Sequence, residues 1–472
     1  MVFFVFSFQL HNQIEDTKGQ ARTYARVRPM DAQEKEGGCK EICLRDGKQT
    51  LALLTADKQQ QHWTYTHVFQ ISSEDASAIS AGQLELHREV EGLGTSFADG
   101  HSVLLMAVGA VGSGKTLTLV GDPEEAKTKG GFFLAEAGSR VASESGEAPT
   151  IATAASQSDK KPAKKGKGKG GPVDGGAGGG LGEGGGGVAA KTIPQAGVFP
   201  RLVAEAFATL NHRSAHSAFV VWVSAASVTM PAAGESTSDV VECLLPPPPP
   251  LAGNTPPGEA QITENDSAQS KNKHGPHLPP HAPPDDRLWG RAVAASTPQE
   301  ALAFFEDARS RAAISKPSEG SEARHFLSRI RVELVNRSTN EQSSCEMVVM
   351  ELAEEKPEAS WPAALAEMVR SKAAASVAAV APEEAEGFLG MVKGCLTDTA
   401  KVVTLLCVSP ADNHAEKTER VLNFGKACEN SAIDGASQLK DLKKELARLK
   451  KETKGTKKVA PSQLPRPAGG KR

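Results

Sequence analysis

A sheet with helices on both faces, an α/β architecture, is predicted by two features of the chain. Short continuous apolar runs recur along it, and amphipathic helical stretches alternate with them. Residues 102–108 (SVLLMAV) lie between Gly100 and Gly109, as a strand buried on both faces would. Residues 219–223 (FVVWV), 347–352 (MVVMEL) and 402–408 (VVTLLCV) read the same way. Residues 326–335 (FLSRIRVELV) alternate more and predict a half-exposed strand. Helical periodicity covers residues 201–210, 298–313 and 415–428.

The 472 residues allow two to four domains, but only 39% are hydrophobic and 5% aromatic, against 45 Gly and 29 Pro. Packed regions carrying long inserts account for that composition. Residues 123–192 contain KKPAKKGKGKG and GGAGGGLGEGGGG, too poor in apolar groups to offset the entropy of ordering. Residues 246–286 open on PPPPP and stay polar, which predicts polyproline II and coil. Both are expected to lack regular structure. Residues 1–21 form an N-terminal extension. Its start, MVFFVFSFQL, is apolar but has neither a basic flank nor a small-residue cleavage site. An extra strand or a misassigned start fits residues 1–10 better than a signal peptide.

Beyond residue 436, Leu439, Leu442, Leu446 and Leu449 follow the spacing of a coiled-coil seam for about two heptads. A lone surface helix, a homodimer or another coiled-coil partner all fit it. Residues 440–458 hold nine Lys/Arg against three acidic residues, and the end from Ala460 is rich in Pro and Gly, a disordered tail. Net charge is −3, from 54 basic and 57 acidic residues, which excludes a globally basic nucleic-acid binder. Seven scattered cysteines make no disulfide scaffold in a chain of this length. The Cys39/Cys43 and His212/His216 pairs are too loosely spaced to predict zinc. No apolar run reaches the roughly 18 residues of a membrane span.

The sharpest motif is Gly109-Ala110-Val111-Gly112-Ser113-Gly114-Lys115-Thr116, which fits GxxxxGK[ST]. It follows a buried-strand pattern and leads into LTLV, a helix start. Glycines let successive N–H groups turn toward phosphate oxygens, and the helix N-terminus adds its dipole. Lys115 would reach the β- and γ-phosphates, and Thr116 would hold Mg²⁺ through its hydroxyl. The expected cofactors are ATP or ADP with Mg²⁺.

Around this loop the sequence resembles the kinesin motor domain. Residues 25–29 (ARVRP) look like the family's RxRP, where Arg and Pro flank the adenine, which maps to Arg26 and Pro29. Residues 63–69 (WTYTHVF) are similar to the FxFDxVF strand, and AVGAVGSGKTLTLVGD to AYGQTGSGKTYTMxG. GVFPRLVAEAFATL at 197–210 resembles GIIPRxxxxLF, and STPQEALAFFEDARSR at 296–311 the helix before switch I. KVVTLLCVSPADNHAEKTERVLNFGKACEN at 401–430 resembles the closing strand and helix. The matches keep the family's order across roughly residues 25–430 and set a motor-like region at 22–436. They imply a P-loop NTPase-type fold with a central mixed sheet of eight strands, binding of ATP and Mg²⁺, and docking on microtubules. The expected location is the cytoplasmic cytoskeleton, axonemes included.

The departures fall on the switches. Switch I, NxxSSRSH in the family, aligns with residues 318–325 (SEGSEARH). Ser321 is kept, Glu322 replaces the second serine, and Ala323 stands at the arginine unless a one-residue gap puts Arg324 there. Switch II, DLAGSE, reads Glu351-Leu352-Ala353-Glu354-Glu355-Lys356. Glu351 keeps a carboxylate that could hold a magnesium-bound water. Glu354 replaces the glycine that senses the γ-phosphate, and Lys356 the glutamate that pairs with the switch I arginine. The basic VPYRDSKLT segment becomes APEEAEGFL at 381–389, with Glu383, Glu384 and Glu386. Phosphoryl transfer depends on positioning and charge neutralisation, so binding without efficient turnover is expected. Two readings stand: a non-motile kinesin-like protein, or an active ATP-hydrolysing microtubule motor.

Overall fold

The computed structural model describes residues 2–19, 21–55, 59–128, 194–229, 240–244, 285–286, 289–314, 324–352, 361–373, 387–397 and 399–429, with Lys444 and Arg448. These belong to one unit, residues 1–134 with 187–472; a second unit, 135–186, lies outside the described residues.

Helix α1 (Val2–Thr17) leads into strand β1 (Ala21–Val27) and the short helix α2 (Ala32–Glu36). Strands β2 (Cys43–Arg45), β3 (Thr50–Leu54) and β4 (Gln60–Thr64) pair antiparallel as a small sheet of their own. Then come β5 (His67–Gln70), α3 (Ala76–Val90), α4 (Leu93–Ala98), β6 (Val103–Val108), α5 (Lys115–Leu119) and α6 (Pro123–Thr128). The next described elements are α7 (Val198–Arg213), β7 (Ser217–Thr229), β8 (Val240–Cys243), β9 (Asp285–Asp286), β10 (Gly290–Arg291) and β11 (Val293–Ala294). Helix α8 (Pro298–Ile314), β12 (Arg324–Asn336), β13 (Gln342–Glu351), α9 (Trp361–Ala373), α10 (Gly387–Cys395), β14 (Lys401–Val408) and α11 (Ala415–Cys428) complete the unit.

The main sheet runs β11-β7-β12-β13-β6-β14-β1-β5, with β8 also on β7. From β13 to β5 the pairings are parallel; from β11 to β13 they are antiparallel. The sheet is therefore mixed, as expected. Strand β6 explains the layering. Val103, Leu105 and Ala107 pack into a core with α3, α4, α7 and α8, while Leu104, Met106 and Val108 pack into another with α9, α10 and α11. Successive side chains of a strand point to opposite faces, so an uninterrupted apolar run demands helices on both.

Five expectations change. Residues 2–17 are helical rather than an extra strand, because the chain runs on from the apolar start through the polar HNQIEDT with no Gly or Pro before Gly19. The first insert begins later than residue 123, since Pro123–Thr128 is a helix with Pro in its first turn, where its missing N–H costs nothing. Likewise Asp285–Asp286 pairs with Gly290–Arg291 instead of ending the second insert. The WTYTHVF segment is two strands, broken at Tyr65–Thr66. Strand β12 is also more buried than its alternation predicts, because Arg329 sits over the Trp289 ring and bonds Ser224 at 3.0 Å. The remainder of both inserts and the seam leucines lie outside the described residues. Within those residues no helix is long and apolar enough to cross a membrane, and no cluster of metal-ligating side chains occurs.

Helix α1 is fixed to the amino ends of the strands by charge. Arg22 donates to Glu15 at 2.8 Å with both side chains buried, Lys18 donates to Glu15 at 2.5 Å, and Lys401 at the start of β14 pairs with Asp16. Asn12 bonds Asp99 at 2.9 Å, which ties the helix to α4.

Candidate functional site

The carboxyl ends of β13, β6, β14 and β1 lie side by side in parallel register, the edge where open α/β sheets carry their ligands. The GxxxxGK[ST] loop leaves β6 at this edge. Gly109 packs so closely on the Cys407 carbonyl and Ser113 Oγ that a Cβ would collide with both. Gly112 and Gly114 have φ of +76° and +90°, backbone that L side chains rarely adopt, with open space where a Cβ would stand. The loop is thus a cradle made possible by its glycines. Lys115, only 9% exposed, donates to the carbonyls of Gly109 at 2.7 Å and Ala110 at 2.8 Å.

Thr116 and Glu351 meet directly. Thr116 Oγ1 donates to Glu351 Oε1, and Arg309 NH1 from α8 donates to Glu351 Oε2. Glu351 is the last residue of β13, and parallel pairing with β6 brings it level with Ala107. The next residue, Leu352, donates its N–H to the Ala107 carbonyl at 2.9 Å. The carboxylate is therefore delivered to the loop by the sheet register.

On the β1 side, Arg26 is 4% exposed and donates to Thr118 Oγ1, beneath α5. Burial pushes its guanidinium down to about 10. Arg28 forms a two-pronged bond with Glu34 at 2.6 and 2.7 Å, and Ser409 donates to the same carboxylate at 2.8 Å. Burial would raise Glu34, but Arg28, the Asp31 N–H and Ser409 together push it down to about 2. Glu34 so joins the end of β1, with Pro29, to the end of β14.

With this geometry in place, the comparisons with known proteins can be weighed. A family model described as microtubule binding matches residues 7–132. Kinesin-like protein KIN-14S of Arabidopsis thaliana is 31% identical over 118 residues, 25% of this chain and 14% of that protein. Kinesin-like protein KIN-14N of Oryza sativa subsp. japonica is 33% identical over 125 residues, 26% of this chain and 15% of that protein. A solved structure of a fast kinesin has 16% sequence identity and a TM-score of 0.52, covering 88% of this chain and 94% of that one. Over its first quarter the chain is similar in sequence to kinesin-like proteins, and its fold is that of a kinesin motor domain. The structural likeness establishes the fold, and the matched stretch is less than a fifth of the length of these curated relatives.

The kinesin fold brings together Arg26, Pro29, the phosphate loop and Glu351 along one edge. Ser321, Ala323, Glu354, Lys356 and the acidic residues Glu383, Glu384 and Glu386 lie outside the described residues. Arg324 opens β12 opposite Thr229. The donor set suits a nucleotide phosphate: Ser113 Oγ and one Arg26 nitrogen are buried without a protein partner. The Thr116 hydroxyl beside a carboxylate suits Mg²⁺.

Sequence reasoning missed Arg309 and the setting of His325. His325 is 1% exposed, stacked on Phe388 of α10 at 4.8 Å and edge-on to Trp361 of α9 at 4.7 Å. Burial, aided by the Lys115 charge, pushes it down to about 3, so the imidazole is neutral. Neither contact has a sequence signal beyond the residue type, because the partners come from separate elements.

Proposed function

We propose that this chain is a kinesin-like protein that binds ATP or ADP with Mg²⁺ through Gly109–Thr116 and associates with microtubules, with hydrolysis and motility impaired. The observation that carries the reading is the phosphate corner, where Lys115 and Thr116 stand in place and Thr116 meets the Glu351 carboxylate. Gly109, Gly112, Ser113 and Gly114 would wrap the phosphates and Lys115 would neutralise them. Arg26 and Pro29 would border the base, and Thr116 would hold the metal with Glu351 beside it. Magnesium, when bound, supplies positive charge at the phosphate oxygens.

Impaired turnover is supported by sequence. Glu354 stands where the family pattern has a γ-phosphate-sensing glycine, and a carboxylate there opposes phosphate charge. Lys356 stands at the glutamate and Ala323 at the arginine of the ion pair between the switches, while Ser321 and His325 keep their switch I identities. Microtubule association is supported by the match of residues 7–132 to a microtubule-binding family model and by the Lys-rich 440–458 tract, which suits an acidic polymer; the acidic 383–386 stretch would weaken a stereospecific dock. The setting is the cytoplasmic cytoskeleton, axonemes included. Leu439, Leu442, Leu446 and Leu449 would seat a second copy or another coiled-coil partner.

Steady-state ATP hydrolysis with and without microtubules tests this reading. Little or no stimulation is expected. Combined Glu354→Gly, Lys356→Glu and Ala323→Arg changes should raise the rate more than the single changes together, since positioning residues act as a unit. Strong stimulation of the unmodified chain would establish the active motor instead.

A further inference from the structure

Arg309 lies on the helix before switch I, at none of the positions singled out for the site, yet it holds the carboxylate at its centre. We propose that Arg309 is a positioning residue that sets how tightly the site takes a divalent cation, acting through Glu351 on the Thr116 hydroxyl; this rests on the nucleotide-binding reading above.

Three observations carry it. The two oxygens of Glu351 are divided, one accepting from Thr116 and the other from Arg309. The Glu351 side chain is 15% exposed and that of Arg309 30%, so water screens the pair only in part. The guanidinium also lies 4.6 Å from the centroid of Phe326, near the start of β12, so it is braced from a second side.

The division has two effects. A hydroxyl that spends its one proton on Glu351 keeps its lone pairs for another acceptor of electron density, which is what a hard cation needs. Glu351 therefore turns Thr116 toward the metal. Arg309, in contrast, cancels the charge that would draw a divalent cation to this corner. The Thr116 bond does not require Arg309, so removing the guanidinium leaves the orientation and frees the charge. The net role of Arg309 is to restrain cation affinity. The pair also bridges the helix before switch I and the strand that leads into switch II. In this sequence Lys356 stands where the family has the glutamate of its own pair between those switches.

The test is a titration of the full-length chain with fluorescent ADP across free Mg²⁺ concentrations set with EDTA. Arg309→Met should lower the Mg²⁺ concentration at half-effect about tenfold, from loss of one nearby positive charge. Metal-free fluorescent-ADP affinity should change by less than about threefold, because the change acts on the cation and not on the phosphates. Arg309→Lys should keep the parental midpoint. In a Glu351→Gln background Arg309→Met should no longer move it, since the charge it restrained is gone. Arg309→Gln repeats the charge removal should the Met variant fold poorly. An unmoved midpoint, a loss confined to metal-free affinity, or a shift that persists with Glu351→Gln would each overturn the proposal while leaving nucleotide binding intact. Absence of fluorescent-ADP binding by the parent at every Mg²⁺ concentration would remove the nucleotide reading and this inference with it.

Discussion

Arg22 and Arg26 lie four residues apart on the same face of β1, and both are buried. Arg22, at the amino end, donates to the Glu15 carboxylate of α1. Burial alone would lower it, but Glu15 and Tyr24 outweigh burial and raise it. Arg26, at the carboxyl end, donates to the neutral Thr118 hydroxyl, and burial pushes it down to about 10. Across the sheet, Lys401 at the start of β14 pairs with Asp16, and Lys115 past the end of β6 donates to the carbonyls of Gly109 and Ala110. A buried cation with its own carboxylate is structural, and taking either partner away strands a charge. A buried cation held by neutral oxygens has more to gain from an arriving anion. One strand thus carries an arginine paired with a carboxylate and another, held by a hydroxyl, that the proposed nucleotide would meet.

The comparison breaks most visibly at Arg22. Arg22→Met should cost about 3–5 kcal/mol in urea unfolding, because Glu15 is left buried without its main counter-ion. A loss close to that of Arg26→Met would erase the distinction between the two ends.

Glu34 sharpens it next, as a carboxylate that ties the β1 and β14 ends together. Glu34→Gln should cost up to about 3 kcal/mol near pH 7, the linkage value of a strongly lowered carboxyl. Its group lies well below the usual 4.5, at about 2. The stabilisation is therefore fully present above about pH 4.5 and fades as pH falls toward 2. Melting temperatures of parent and variant should converge over that window. A gap that stays constant down to pH 2 would show that packing, and not charge, is what Glu34 supplies.

Arg26→Met gives the smallest effect on the fold and the clearest on binding. It should change stability by no more than about 1 kcal/mol, since only a neutral-partner hydrogen bond is lost. It should weaken fluorescent-ADP binding up to about tenfold, the share of one guanidinium contact with the base. A large loss of stability with unchanged binding would place Arg26 among the structural cations.

These particular residues also mark what the sequence could and could not reveal. The phosphate loop was legible because it needs glycine at fixed positions, and Gly109, Gly112 and Gly114 are the residues whose positive φ or close packing excludes a side chain. The core strands were legible because burial on both faces forces apolar runs. Helix α1 was not, since a short apolar run has no period that separates helix from strand, and the polar anchors Asn12, Glu15 and Asp16 find partners on α4, β1 and β14. Arg309 was hidden for the same reason: Glu351 lies 42 residues away and only the sheet register brings it near. Kinesin motifs supplied Arg26 and Pro29, but the burial of Arg26 under α5 depends on the packing of two elements that those motifs do not describe.

The account stands or falls on whether Lys115 serves a nucleotide phosphate. Titration of the full-length chain and of Lys115→Ala with fluorescent ADP in saturating Mg²⁺ asks this directly. The expected result is saturable binding by the parent, weakened about a hundredfold in the variant by loss of a point charge at the phosphates. Equal affinity of the two chains, or no saturable binding by the parent, would contradict it.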